Sequence, residues 1–494
     1  MLLRSLLRSW SRHHAVVATL CHLAMLAALA SMSSVALFAS LPAFLESTGD
    51  AEAVSNLPGF GTIFLSVGKC TVVWTLQRFG ARQVLILAAL LVGIGALSIT
   101  LTGHAGFGAL FGGVAAMQFA LSQVWAGCTM LTANWVDRSQ LGRTFGFAIS
   151  GAGDLGGAIA ALGFGAILEH TGPDGWPVVF AVVGSLSLCV SALLWAGLCE
   201  SAADAGHRPP RAEPSQLAAE DEPEEDLATS KTAASAPAAQ PQPHLLGDSR
   251  ATAVPVAVAL RVFSRSVRVW LAVLMGTCCA CVVTAAQIVP PLYASQRLHA
   301  SAADAARMPL AVQIGAVAGG LLGGLARDGL SPRDLLRVTA AVMLCGVGGA
   351  AGWWVADLTG TLSSPLALAP MLFVMAISVS WAWGVLQSAF TVTHGGPAHS
   401  STLMGLLDAV SFLPRAPAAF LLGHLMKAGR WQTVCFLILA VGAVGNATAL
   451  LLLAADQRMP AAPSPLSEPS GGAAVPVDSA SVGGDGSRQR KALL

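Results

Sequence analysis

Four charged side chains fall inside long apolar runs of this chain: Lys69, Asp154, Asp408 and Arg415. An ionised group at membrane depth costs several kcal/mol, so each is a candidate for binding, coupling or gating. Asp154 sits mid-run in the stretch SGAGDLGG, with no obvious partner on its own helix. Low dielectric disfavours the charged form of a carboxylate. Asp154 therefore suits proton carriage, a substrate amine, or a structural pair with Arg415. Arg415 lies between Pro414 and Pro417. Prolines there interrupt the helical ladder and expose carbonyls, as in discontinuous transporter helices. An anionic substrate suits Arg415, and so does a kink-stabilising role. Seven residues separate it from Asp408, so the two share nearly one face about 10 Å apart. No direct pair is expected between them.

Uncharged polar and aromatic residues add a second set. Gln118, Gln123 and Trp125 share one run, Gln287 and Gln313 stand in two others, and Trp381, Trp383 and Gln387 share a fourth. Such a lining suits a sugar, nucleoside or amino acid, while each residue alone also fits helix–helix hydrogen bonding or core packing. His22 is a further proton-site candidate or a structural histidine. Fifty-two glycines, as in Gly151, Gly153, Gly156 and Gly157, allow helices to approach closely and slide.

The elements that must hold these groups are apolar helices. Hydrophobic residues make up 54% of the chain and charged residues 11%, less than half the roughly 25% of soluble proteins. Twelve runs approach the roughly 20 residues that a bilayer requires. They cover 15–45, 58–77, 83–101, 107–133, 144–168 and 177–199, then 267–293, 308–326, 336–356, 365–391, 403–425 and 431–455. Helices satisfy their backbone in lipid and open sheets do not. The fold class is therefore all-α: a polytopic membrane protein whose twelve transmembrane helices form two pseudo-symmetric six-helix bundles.

The bundles occupy 15–199 and 267–455, joined by a polar linker at 200–266 that carries the acidic run EDEPEED. A basic tail (1–14) and a Pro-, Ser- and Gly-rich tail (456–494) flank them. The linker and the C-terminal tail cannot bury a core and are expected to be disordered. Arg4, Arg8, Arg12, Arg78, Arg82, Arg138, Arg143, Arg327, Arg333 and Arg337 fall on the side of the termini. The positive-inside rule then places both termini and the linker in the cytoplasm. Lys427, Arg430, Arg297 and Arg307 run against that trend. The Arg- and Ser-rich N-terminus fits a cytoplasmic anchor or an organelle presequence, so the membrane stays open.

Other classes lose ground on composition. No P-loop is present, which excludes an ATP-driven pump. No carboxylate–His or nucleophile–base cluster suggests an enzyme. A net charge of +1 leaves no nucleic-acid footprint. Cys278, Cys279 and Cys281 lack His or carboxylate company and fit apolar packing, so no metal and no cofactor is implied.

The halves repeat one loop. Leu76, Arg78 and Gly80, followed by Arg82, recur as Leu325, Arg327 and Gly329, each 249 positions on, with Asp328 between the last two. Gly165 and Trp176 parallel Gly423 and Trp431 less strictly. With this motif, duplication and span count, the chain resembles the major facilitator superfamily. The resemblance implies secondary transport by alternating access. It also implies that spans two and eleven face each other across the bundle interface. Lys69 and Asp408 each lie about 9–13 Å deep at about 1.5 Å per residue. They would then form a breakable latch or a fixed pair.

A narrower likeness is to the organophosphate:phosphate antiporter branch. It rests on Ser66-Val67-Gly68-Lys69, Asn134-Trp135 with Gly142, Asp154-Leu155-Gly156-Gly157, Leu41-Pro42-Ala43-Phe44-Leu45 and Pro291-Leu292-Tyr293. Where that branch carries its substrate arginines and histidine, this chain has Ser34, Val283 and Gly153. Phosphate recognition needs multidentate cationic donors, so that chemistry is not expected to carry over. The expected partners are a small polar solute, the lipid bilayer and protons, with a monomer as the working unit. An organic-anion or sugar-phosphate exchanger is one alternative. A non-transporting sensor or scaffold on a transporter fold is another.

Overall fold

The computed structural model describes residues 12–102, 107–136, 144–207 and 265–457. Arg4, Arg8, Arg138, Gly142, Arg143, the acidic run and the C-terminal tail lie outside them. Among the described residues every regular element is helical. Twelve stretches are long and apolar enough to cross a membrane, numbered here as spans one to twelve. They are His13–Thr48, Ala51–Phe79, Ala81–Thr102, Leu110–Trp135, Gly146–Thr171 and Pro173–Gly197, then Val267–Arg297, Ala302–Gly329, Pro332–Thr359, Pro365–Gln387, Leu403–Lys427 and Trp431–Gln457. The chain is an integral, multi-pass membrane protein.

Each span matches an apolar run and usually extends past it, because local caps set the ends. Span two starts at Ala51 rather than 58, since the Asp50 carboxylate accepts the Ala53 N–H at 2.8 Å. Ser301, Ser331 and Ser364 cap later helices in the same way. Pro332 and Pro365 stand at first helical positions, where a missing N–H costs nothing.

Packing reproduces the repeat. Span one packs on span five, two on four, and three on four and six. Six spans later, seven packs on eleven, eight on ten, and nine on ten and twelve. Between the halves, span two meets span eleven and span five meets span eight, and these two contacts exchange under the same shift. The result is two six-helix bundles related by a pseudo-two-fold axis. Span five reveals the lipid logic: Leu155, Ile159 and Leu162 are exposed on its outer face, while Gly153, Gly156 and Gly157 are buried. Outward Leu and Ile would be costly in water and are at home among acyl chains.

The two loop motifs share a sequence but not a turn. In the first, the helix ends at Phe79 and Gly80 takes φ 78°, which favours glycine. In the second, Gly329 is the last helical residue and Ser331 caps the next span. Of the two motifs, the first has the positive-φ glycine turn and the second does not.

Candidate functional site

The described residues enclose a cavity of ≈ 250 Å³ between the bundles, lined by spans one, two, four, five, seven, eight, ten and eleven. All four charged candidates reach it: Lys69, Asp154, Asp408 and Arg415. So do Gln118, Gln287, Gln313, Trp125 and Trp383. The two tryptophans stand on spans four and ten, one in each bundle. Trp383 belongs to a π-helical turn, Trp381–Gln387, and another such turn, Phe145–Gly151, lies just before Asp154. Turns of this kind widen a helix and recur at functional sites.

Lys69 of span two and Asp408 of span eleven form an ion pair at 2.7 Å. Both are buried, and Gln387 donates to the other Asp408 oxygen at 3.2 Å. The Lys69 ammonium also lies 5.0 Å from the centre of the Phe412 ring. On the same ring, the Arg415 guanidinium lies at 4.8 Å. The helix breaks at Leu413 and Pro414, between Phe412 and Arg415. Such a break leaves carbonyls without helical partners, and the Ser66 hydroxyl of span two takes that of Phe412 at 2.9 Å. Arg415 donates through Nε to Thr284 Oγ1 of span seven. No carboxylate pairs with it among the described residues, including Asp408, as its spacing predicts.

Asp154 lines the cavity from the other bundle. It has no hydrogen-bond or ion-pair partner among the described residues, and the structural pair with Arg415 is not formed. The cavity therefore carries a cationic cluster of two cations and one carboxylate at spans two and eleven. A single free carboxylate faces it from span five.

Two of the glutamine candidates stand elsewhere. Gln123 does not line the cavity; it ties span four to span two through the Gly68 carbonyl at 2.8 Å and the Thr75 hydroxyl at 2.7 Å. Gln387 backs Asp408 rather than facing the cavity. His22 bonds the Ala18 carbonyl one turn away at 2.7 Å. Ser34 and Val283, where the phosphate-exchanger likeness would put arginines, line the cavity as a hydroxyl and an apolar group.

On the face away from the termini, contacts that sequence reading did not single out join the bundles. Arg307 of span eight pairs with Glu169 of span five and with Asp304 at 3.2 Å. Lys427 pairs with Glu52 at 3.7 Å. The repeated glycines sit here. A Cβ on Gly423 would lie 2.0 Å from the Ser55 carbonyl oxygen, and one on Gly165 would lie 2.5 Å from the Arg307 stem. The Gly165/Gly423 match in sequence was the available signal for this seam. Asp357 was also missed; it accepts the hydroxyl of Tyr293, the chain's one tyrosine, at 2.7 Å.

At the face bearing the termini, the first loop motif ties spans three and six together. Arg82 donates to the Leu198 and Trp195 carbonyls at the end of span six, at 2.6 and 3.0 Å. Glu200 accepts the Ala81 and Arg82 N–H groups that open span three, at 2.8 and 2.7 Å. Burial pushes the Glu200 carboxyl above the usual range, the Ala81 N–H pulls it back, and Asp204 adds to the rise. Arg78, Asp328 and Gly329 are exposed, and Arg327 is half-buried.

Comparison with known proteins agrees with this architecture. A family model described as Major Facilitator Superfamily matches residues 23–419. A solved proton:xylose symporter bound to 6-bromo-6-deoxy-D-glucose superposes with a TM-score of 0.64 at 14% identity, covering 90% of this chain and 95% of that one. A D-xylose-proton symporter superposes at 0.62 with 14% identity, covering 90% and 97%. At that identity the likeness speaks for the fold alone. No curated protein matches the sequence.

Proposed function

The chain belongs to the major facilitator superfamily, and from that premise we propose how its cavity works as the site of a secondary, alternating-access transporter for a small polar solute. Membership makes it a transporter rather than an enzyme. The observation that carries the proposal is a cavity whose charged groups come from both bundles, with inter-bundle ties toward either face.

Rocking of one bundle against the other would exchange those ties. Toward the termini, the Lys69–Asp408 pair and the Ser66–Phe412 hydrogen bond hold span two to span eleven. Toward the opposite face, Arg307–Glu169, Lys427–Glu52 and the glycine contacts hold both seams. The Lys69–Asp408 pair is then a latch, broken each time the face of the termini opens. That face is cytoplasmic, on the distribution of arginines, and the working unit is a monomer.

Two chemistries satisfy Asp154: a proton taken up with the solute, or a cationic group on the solute itself. Uptake into proteoliposomes from a panel of sugars, nucleosides and amino acids, with and without a pH gradient, tests the proposal. Saturable flux is expected for one class. Absence of flux across the whole panel would overturn the reading. If the gradient drives flux and Asp154→Asn leaves that drive intact, the proton role of Asp154 fails.

A further inference from the structure

We infer that the transported solute is a small zwitterion, with its carboxylate on Arg415 and its cationic nitrogen on Asp154. The inference rests on the transporter reading and names the substrate class of the same cavity.

Charge accounting carries it. Of the four ionisable side chains lining the cavity, Lys69 and Asp408 neutralise each other at 2.7 Å, and Gln387 fills the second Asp408 oxygen. One cation and one anion remain, Arg415 in the second bundle and Asp154 in the first. Neither has an ion-pair partner among the described residues. Uncompensated charge at membrane depth is costly, and a neutral sugar relieves neither charge. A monoanion relieves Arg415 alone and leaves the site negative unless a proton joins it. A zwitterion relieves both and leaves the occupied cavity neutral.

The local chemistry of Arg415 fits a carboxylate. Its Nε is committed to the Thr284 hydroxyl, which itself donates to the Ala280 carbonyl at 2.8 Å. Its plane is held near the Phe412 ring. These contacts fix the guanidinium and leave both Nη groups without an acceptor among the described residues. That is the fork a carboxylate accepts bidentately. Phosphate is the poorer match, because Ser34 and Val283 supply no second cation. When ionised, the Asp154 carboxylate offers acceptors and no donor, which suits an ammonium group.

Among the uncharged lining, Val282, Val312, Met375, Trp125 and Trp383 supply apolar and aromatic surface beside the polar Gln118, Gln287 and Gln313. That surface suits an aliphatic portion between or beside the two charges. A volume of ≈ 250 Å³ falls below the roughly 300–1,000 Å³ of drug-sized sites, which fits a solute of amino-acid size.

The test is counterflow in proteoliposomes of the full chain. Radiolabelled L-leucine competes with unlabelled glycine, β-alanine, γ-aminobutyrate and 5-aminopentanoate, a ladder that spaces the two charges. Leucinamide lacks the carboxylate, and the matching α-hydroxy acid lacks the ammonium. D-xylose and uridine stand for neutral solutes.

At least one zwitterion is expected to compete. Its two truncated analogues should each bind roughly 10–100-fold more weakly, the effect of losing one charge-assisted bond. Asp154→Asn should abolish zwitterion flux while improving relative use of the hydroxy acid, and Arg415→Gln should lose both. A specificity swap of that kind would not follow from a merely structural role. Thermal stabilisation of the wild-type protein by leucine but not by leucinamide checks the same point without a variant.

Equal flux of the amino acid and the hydroxy acid, driven by a pH gradient, overturns the inference by making Asp154 a proton carrier. Flux of xylose or uridine alone also overturns it, and leaves the transporter reading standing. No flux of any solute overturns both.

Discussion

Removing one partner of the Lys69–Asp408 pair tests both the energetics and the latch. The side chains are 2% and 7% exposed, so the surface-pair value of about 0–1 kcal/mol does not apply. A buried pair broken on one side costs about 3–5 kcal/mol, because the orphaned charge keeps its desolvation penalty. Asp408→Asn leaves the Lys69 ammonium with the Phe412 ring as its described partner, and Lys69→Gln leaves the Asp408 carboxylate with Gln387. Either should lower Tm in detergent by roughly 3–5 °C, since about 2.1 cal/mol/K of unfolding entropy per residue makes 1 kcal/mol worth about 1 °C in a chain of 494 residues. The double variant Lys69→Gln/Asp408→Asn carries no orphan charge and should recover most of that loss. Transport should not recover with it. A tie worth about 3 kcal/mol biases two conformers by roughly a hundredfold at 1.4 kcal/mol per decade, and the double variant has lost that bias. Electron–electron distances between labels on the two bundles should broaden toward states open on the face of the termini. Normal transport by a thermally restored double variant would make the pair a fixed strut. Single variants as stable as wild type would refute the burial argument itself.

Other expectations concern the seams and the caps. Gly423→Ala puts a methyl 2.0 Å from the Ser55 carbonyl oxygen, so spans two and eleven must part. A loss of about 1–3 kcal/mol is expected in thermal unfolding, with greater labelling of cysteines placed along that seam. Arg307→Ala removes a pair whose members are 34% and 58% exposed. It should cost less than about 1 kcal/mol, and salt titration of wild-type stability should show an equally small effect. Glu200 binds its proton more tightly in the folded protein, since burial raises its carboxyl. The linked stability is full below the ordinary glutamate range and declines as pH rises through the raised value. Melting curves across weakly acidic pH should show that decline, and Glu200→Gln should flatten it while costing about 1 kcal/mol for one lost helix-cap bond. Tyr293→Phe removes the buried hydroxyl that Asp357 accepts and should cost about 1.5–3 kcal/mol, read as a lower Tm.

Much of the architecture was written in periodicity and composition. Apolar runs of bilayer length have one backbone solution, the helix, so the number of spans and the division into bundles follow from residue types alone. The loop repeat at a constant offset carried the pseudo-symmetry, and the burial cost of charge singled out Lys69, Asp154, Asp408 and Arg415 without coordinates. The proline pair around Arg415 likewise announced the break in span eleven. Helix ends were less legible, because Asp50 and the serine caps are polar residues outside the apolar signal.

Tertiary structure decided which polar groups face one another. Gln118 and Gln123 are five positions apart on one helix, yet one lines the cavity and the other ties span four to span two, since a helix turns about 100° per residue and its neighbours set each face. Lys69 and Asp408 are 339 positions apart, and only the meeting of spans two and eleven makes them a pair. The same meeting leaves Arg415 and Asp154 without a carboxylate or a cation of their own. Sequence determined that four charges would be buried in a membrane. The fold decided that two of them cancel and that the other two face a common cavity.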